Sequence, residues 1–380
     1  MTAPIHITGW GTVCALGADT PTAVGGLRAG RRGLGPATRS LHLTPIDGAP
    51  PNACECPIDG LLPRRARQIV EVAVAEAVAM AGPHVGTTGV FAGTTGGFFV
   101  EADIALWAER KHNPLAAPWF GRRGAGEVAE AVALQVDARG PLATFSMACT
   151  SGAAALTAAA SHLRAGSCTR AIVVGFDLLA SMTIYGFRSL MLTDPRPSRP
   201  FDVTRAGLQI GEACGVLVLE RGGSGPFRVE GFDNRVDPTN MTGSSIDGST
   251  VEGVIRGALT RSALEPAAVV SVKAHGTGTV DNDLAEGRGI ARVFGPQPPP
   301  FASLKGAIGH TLGAAGAVEA ALWLGCLRAG FVPGSIGFAD MDPEIGVMPI
   351  STPIAAPRGA HVFNSFGFGG SCVAFVVTDV

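Results

Sequence analysis

Ala143-Thr-Phe-Ser-Met-Ala-Cys-Thr-Ser-Gly-Ala-Ala-Ala-Leu156 starts as an apolar, β-like run, turns through small polar residues and continues as an alanine-rich segment of high helix propensity. The pattern places Cys149 where a strand hands over to a helix, close to the helix N-terminus. Unpaired backbone N–H groups and the helix dipole favour negative charge there, so the position is expected to lower the thiol pKa and stabilise a thiolate. Gly152 lets another element approach the backbone closely. A buried core cysteine is the competing reading of the same residue. The rest of the chain has to decide between them.

On both sides of this stretch strands alternate with helices. Upstream, residues 5–10 read as a strand, 21–29 as a helix capped near Asp19-Thr20, and 64–81 as a strong helix ended by Gly82-Pro83. A short strand follows at 90–93, then helices at 98–111 and 124–137. Residues 30–60 are rich in Gly, Pro and Arg and read as loop. Downstream, 170–175 and 215–220 are continuous apolar runs suited to strands buried on both faces. Gly222-Gly-Ser-Gly-Pro226 is the clearest breakpoint. Beyond it the order repeats: strand 227–233, helix 249–262, strand 269–274, helices 281–293 and 311–329, and strands near 361–365 and 371–378. Such alternation predicts a layered α/β fold, and the repeated order predicts two duplicated halves, 1–225 and 226–380.

The 380 residues exceed what one hydrophobic core usually spans, in keeping with two units. Hydrophobic residues make up 46% and charged residues 16%, which is the balance of a globular chain rather than a disordered one. The net charge of −2 gives no global attraction to nucleic acid, so an electrostatic partner would need a local patch. Met1-Thr-Ala-Pro-Ile-His6 lacks a basic region followed by an apolar core, and no apolar run reaches transmembrane length. The eight cysteines are scattered without zinc or disulfide spacing. A cytoplasmic protein with free thiols and no membrane insertion is expected.

A cysteine nucleophile needs an oriented imidazole or another charge stabiliser. Two histidines stand apart from the other six. His275 ends a strand in Ser271-Val-Lys-Ala-His-Gly-Thr-Gly-Thr-Val280, and His310 sits in the glycine-rich Lys305-Gly-Ala-Ile-Gly-His-Thr-Leu-Gly-Ala-Ala-Gly316. In open α/β sheets ligands bind beyond the carboxyl ends of strands, where His275 falls. Either histidine could instead be a hydrogen-bonded structural residue. Asp281 and Asp283 near His275 do not make a metal set, and no G-x-G-x-x-G or P-loop is present. No metal and no bound cofactor are expected.

Four blocks together resemble the β-ketoacyl-acyl carrier protein synthases of the thiolase fold, elongating type. They are Ala148-Cys-Thr-Ser-Gly152, Ala274-His-Gly-Thr-Gly-Thr279, Lys305-x4-His310-x8-Glu319 and Asn364-Ser-Phe-Gly-Phe-Gly-Gly370. Arg199-Pro-Phe-Asp202 and Gly211-Glu212 extend the likeness over nearly the whole chain. The resemblance implies duplicated halves in an α-β-α-β-α arrangement. It implies that Cys149 carries the acyl chain as a thioester, and that His275 and His310 hold the malonyl thioester carbonyl as CO2 leaves. Lys305 matches the family lysine behind the second histidine, His310, and Glu319 the carboxylate that pairs with it. Phe368 matches both a backbone donor of the oxyanion hole and a gate ring. Phe366, Thr277, Thr279 and Thr242 match positions that line the phosphopantetheine arm of acyl carrier protein.

Acyl carrier protein is acidic, so a basic rim is expected, with Arg64, Arg65, Arg67, Arg110, Lys111 and Arg205 as docking residues. The resemblance also implies a homodimer, or a heterodimer with a chain-length-factor-like subunit. Segments 184–190 and 207–212 are closest in wording to the compact aryl-polyene synthases, and Ser371-Cys372 replaces the family's usual Thr-Asn. The rival readings are a non-catalytic chain-length-factor-like subunit and a thiolase-like or starter-unit acyltransferase. The first lacks the cysteine, and the second pairs its cysteine with a different set of residues.

Overall fold

The computed structural model describes residues 3–40, 43, 49–60, 64–98, 124–239 and 243–380. The first half contributes β1 (Ile5–Val13), β2 (Leu34–Pro36), β3 (Asn52–Cys54), β4 (Thr88–Gly93), β5 (Leu142–Phe145), β6 (Arg170–Asp177) and β7 (Ala213–Arg221). The second contributes β8 (Phe227–Val236), β9 (Val269–Lys273), β10 (Phe301–Ala302), β11 (Phe331–Val332), β12 (Ile354–Ala355), β13 (Ala360–Gly367) and β14 (Ser371–Asp379). Ten of these strands form one mixed sheet in the order β10-β9-β13-β14-β8-β1-β7-β6-β4-β5, while β2–β3 and β11–β12 are separate pairs.

The order hides a repeat. In the first half β1 runs antiparallel to β7, β7 antiparallel to β6, β6 parallel to β4 and β4 parallel to β5. In the second half β8, β14, β13, β9 and β10 are wired in the same sequence of directions. The first strands of the two halves, β1 and β8, join them through a short antiparallel contact over Ile5 to Ile7.

The helices are α1 (Thr20–Arg28), α2 (Arg64–Ala81), α3 (Glu127–Gln135), α4 (Ser151–Ala165), α5 (Ser181–Ser189), α6 (Ser249–Arg261), α7 (Val280–Phe294), α8 (Lys305–Ile308) and α9 (Ala315–Arg328). Side chains alternate along each strand and so divide between layers. Ile172, Val174, Val216 and Val218 face α2 and α3, whereas Val173 and Leu217 face the central helices α4 and α9. In the second half Phe363, Val373 and Phe375 face the same central helices, and Val362, Ala374 and Val376 face α6 and α7. The result is five layers, α2/α3, strands, α4/α9, strands, α6/α7, as the resemblance implies.

The two central helices touch backbone to backbone. A Cβ on Gly152 would sit 2.9 Å from Ala317 N and 3.0 Å from Gly313 O, and one on Gly316 would collide with Ala153 N. The element that Gly152 admits is therefore α9.

Some elements differ from expectation. The helix expected over 311–329 begins at Ala315, because Gly309 (φ 72) and Leu312 (φ 53) leave helical geometry and a 3₁₀ turn spans Leu312–Ala314. Helix α5 was not expected, since Ser181-Met-Thr-Ile-Tyr-Gly-Phe-Arg-Ser189 mixes glycine with β-branched and aromatic residues of modest propensity. The β2–β3 pair lies within the expected loop 30–60. The helix expected at 98–111 lies almost wholly outside the described residues.

All eight cysteines are free and buried. Burial pushes the thiols of Cys14 and Cys372 up to about 11 and that of Cys54 up to about 12. A raised folded-state pKa gives stability that is complete below the unfolded thiol value and lost as pH rises through the folded value. The midpoint of urea unfolding should therefore fall as pH is raised from about 8 to about 10, where unfolded thiols ionise and buried ones do not. A midpoint unchanged over that interval would contradict this.

Candidate active site

The turn before α4 is tightly fastened. Ala148 adopts φ 48, a conformation disfavoured for a residue with a Cβ, and this swings Cys149 to the tip of the turn. Thr150 Oγ1 donates to Met147 O (2.7 Å), Ser151 Oγ donates to Ala148 O (2.6 Å), and Met147 N–H donates to Ser151 Oγ (2.9 Å). The thiol of Cys149 is buried, with Sγ 3.0 Å from His310 Nε2.

His310 is held by both its backbone and its ring. Its N–H donates to Gln209 O (2.7 Å), and its carbonyl accepts from Gly211 N–H (2.9 Å). Leu312 N–H donates to Nδ1 (3.3 Å), so Nδ1 is the acceptor and Nε2 carries the proton facing the sulfur. His275 reaches the same tautomer by another route. Lys305 Nζ, which can only donate, lies 3.2 Å from its Nδ1 and also donates to its carbonyl (2.6 Å), so the lysine expected behind His310 hydrogen-bonds His275 instead. The backbone N–H groups of His275 and Gly276 are anchored on the Glu286 carboxylate, at 2.8 and 2.7 Å. The two imidazole centroids are 5.4 Å apart and nearly perpendicular, at 84°.

Behind the rings lies a buried charge cluster. Glu319 accepts from Lys305 Nζ on Oε1 (2.5 Å) and from Lys273 Nζ on Oε2 (2.7 Å). Burial, reinforced by the charge of Lys305, holds both imidazoles well below the usual histidine range, so both are neutral N–H donors. Cys149 departs from expectation. Burial pushes its thiol up to about 12, against the pull of Lys305 and of the backbone N–H groups of Phe368 and Cys149 itself. The helix start is where the sequence put it, but removing a charged sulfur from water outweighs it.

Two cavities meet at the sulfur. One of about 290 Å³ is largely apolar and is lined by Phe98, Leu178, Met182, Leu190 and Leu312 among others. The other, about 40 Å³, is bordered by His275, Thr277, Thr279, His310 and Phe366. Cys149, Phe187 and Phe368 border both, and the rings of Phe187 and Phe368 stack at 5.4 Å with 20° between planes. Asp177 faces the larger cavity. It accepts from Thr94 Oγ1, Thr95 N and Gly96 N at 2.9–3.0 Å and from Gly313 N at 2.7 Å, tying the loop after β4 to the turn before α9. Burial pushes its carboxyl up to about 6.

A thiol flanked by backbone donors and two neutral imidazoles thus sits between a large apolar cavity and a small one bordered by hydroxyls and imidazoles. The beta-ketoacyl synthase N-terminal domain matches residues 2–223, and the beta-ketoacyl synthase C-terminal domain matches residues 228–339. The chain belongs to the beta-ketoacyl synthase family. It is 31% identical to the chloroplastic 3-oxoacyl-[acyl-carrier-protein] synthase I of Hordeum vulgare, over 96% of this chain and 87% of that protein. The fold is similar to the ishigamide ketosynthase/chain length factor (TM-score 0.87, 27% identity, 100% of both chains). It is also similar to the ketosynthase ApeO in complex with its chain length factor ApeC from Xenorhabdus doucetiae (TM-score 0.83, 26% identity, 100% of this chain and 98% of that one).

Of the residues singled out from sequence, Cys149, His275, His310, Lys305, Glu319, Thr277, Thr279, Phe366 and Phe368 come together here. Thr242, Arg110 and Lys111 lie outside the described residues. Arg64 and Arg67 are exposed, with Arg67 also lying over the Phe98 ring at 5.5 Å. Two docking expectations are corrected. Arg65 is fully buried and paired with Glu212, and it donates to the carbonyls of Ile58 and Cys56. Arg205 is buried against Asp342 and donates to the carbonyls of Asp202 and Val280. Both guanidinium groups tie loops together instead of facing a partner.

Sequence reasoning missed Lys273, Glu286, Asp177 and Phe187. Lys273 ends β9 two residues before His275, in the strand-end segment that the sequence already marked, and this signal was open to use. Asp177 carries no local mark, because its donors come from distant loops, and Glu286 is marked only by the backbone N–H groups of His275 and Gly276 that the fold brings onto it.

Arg65→Ala should separate the two readings of that residue. Leaving Glu212 buried without its partner should cost about 3–5 kcal/mol in denaturant unfolding. An exposed docking arginine would cost less than about 0.5 kcal/mol.

Proposed function

We propose that the chain elongates a Cys149-bound acyl group by decarboxylative condensation with a malonyl thioester carried on acyl carrier protein. The observation that carries this is that one sulfur and two neutral imidazoles border a single buried cavity, with His310 Nε2 3.0 Å from the sulfur and the His275 ring 5.4 Å from that of His310. In the first step the Cys149 sulfur attacks the carrier-bound acyl thioester. Its proton leaves with the released phosphopantetheine thiol, and the backbone N–H groups of Cys149 and Phe368 receive the transient oxyanion. The raised thiol pKa suits this, since a neutral sulfur waits in the dry site until a thioester arrives.

In the second step the malonyl thioester carbonyl accepts from His275 and His310 Nε2–H as the C–C bond to the carboxylate breaks and CO2 departs. The electron pair stays on the enolate, which attacks the acyl thioester. The Cys149 thiolate is expelled and regains a proton from solvent. Donors aimed at an oxygen that gains charge are commonly worth about 10²–10³ in rate each. Neutral imidazoles fit this role because each keeps a proton on Nε2 to donate while its Nδ1 accepts. Thr277 and Thr279, whose hydroxyls lie 2.8 Å apart beside the smaller cavity, suit the phosphopantetheine arm, and the larger apolar cavity suits the acyl chain.

We assign the nucleophile to a half spanning 1–225 and both histidines to a half spanning 226–380. No bound cofactor is part of this reading. The partners are acyl carrier protein and a second subunit, either a copy of this chain or a chain length factor of the kind that accompanies two of its structural relatives. A purely non-catalytic subunit is disfavoured, since its site would have no use for Cys149, His275, Lys305 and His310 in contact.

Cys149→Ala should abolish formation of an acyl-enzyme seen as an intact-mass increment. His275→Ala should still acylate but lose condensed product by at least about 10²-fold. An acyl adduct persisting in the first variant, or normal product from the second, would contradict the assignment.

A further inference from the structure

We infer that Lys273 is a positioning residue for the condensing step, acting through Glu319 and Lys305 on the two imidazoles. The inference rests on the function proposed above. Lys273 ends β9, two residues before His275, and its side chain is fully buried. Its ammonium has two partners, Glu319 Oε2 at 2.7 Å and the carbonyl of Asn364. Asn364 lies on β13, the strand that continues into Phe366 and Phe368, and its amide donates to Glu286 (3.1 Å) beneath His275. One side chain thus links the strand that leads to His275, the helix carrying Glu319 and the strand that leads to Phe368.

The cluster's stoichiometry gives this linkage its chemical content. One carboxylate, Glu319, is shared by two lysines, one on each oxygen. Were Lys273 absent, Glu319 would be free to rotate and draw Lys305 wholly to itself, away from His275 Nδ1. With Lys273 on Oε2, the carboxylate is fixed in plane and Oε1 holds Lys305 at 3.2 Å from that nitrogen. Lys273 also brings a second positive charge into a site of low dielectric. The groups facing His275 are Lys305, Lys273 and His310, with Glu286 on its backbone N–H. Those facing His310 are Cys149, His275, Lys305 and Lys273. Among the described residues no carboxylate hydrogen-bonds to either ring, so removing one lysine charge has a definite sign. Protonated imidazole becomes easier to form, and the pH below which the neutral donors disappear moves upward.

The test is the pH dependence of condensation from about pH 5 to 9, with Cys149 acylation followed in parallel by intact mass. Lys273→Gln keeps a donor for Asn364 and removes the charge. We expect acylation within about twofold of wild type, kcat for condensation lowered tenfold or more with KM little changed, and the acid limb displaced upward by about one pH unit. Lys273→Arg keeps the charge, so its limb should stay at the wild-type position even if kcat drops. A glutamine variant whose limb does not move, whether or not its kcat falls, would reduce Lys273 to a structural residue and overturn the inference. If the glutamine variant does not fold, the arginine variant decides, and an upward shift in its limb overturns the inference. Failure of the wild-type chain to condense at any pH would instead overturn the proposed function, and this inference with it.

Discussion

The site exists because two helices are allowed to touch. Gly152 and Gly316 leave no side chain between α4 and α9, so the backbone of one lies against the backbone of the other near both N-termini. The turn that ends in Cys149 immediately precedes the first helix, and the turn that contains His310 immediately precedes the second. A single methyl at either glycine would have to push the helices apart. Sulfur and imidazole are 3.0 Å apart, so even a fraction of an ångström would weaken their contact. Gly175 and Gly215 continue the same close packing onto the strands β6 and β7, where a Cβ would meet Ala314, Ala317 and Val318. The chain has 53 glycines, about twice the usual ~7% share, and this seam is their clearest use.

The second constraint is dryness. The reacting groups, both lysines and both glutamates of the cluster are all buried. Charges in such a place must be paired or hydrogen-bonded. Glu286 is satisfied by two backbone N–H groups and an asparagine amide, and Glu319 by two lysines. The uncharged members, the thiol and the two rings, are kept uncharged by the same burial. The protein thereby keeps formal charge one step removed from the sulfur, with Lys305 as the link between cluster and ring.

Much of this was legible in the chain. The strand–helix handover at Cys149, the strand ending at His275 and the glycine-rich entrance to the helix after His310 are local patterns, and each fell within a few residues of its observed place. The repeat showed as a repeated order of elements about Gly222-Gly-Ser-Gly-Pro226, although the permuted strand order that makes it a true structural repeat depends on pairing that no local signal reports. What sequence could not weigh was burial. It gave Cys149 a helix dipole without the desolvation that overrides it. It also read Arg65 and Arg205 as surface charge, when Glu212 and Asp342, 147 and 137 residues away, draw them inside. The same blindness hid Asp177, whose four donors arrive from two loops separated by more than two hundred residues of chain.

The two halves are wired alike, yet they are not chemically interchangeable. Cys149 and His310 occupy matching stations, each in the turn that leads from a third strand to a central helix. One station kept sulfur and the other an imidazole. Symmetry in the scaffold has thus been converted into complementarity at its axis, and neither repeat holds the sulfur and the imidazoles together. A chain severed at its glycine linker would yield two fragments that become a single site again only by reuniting face to face along the glycine seam.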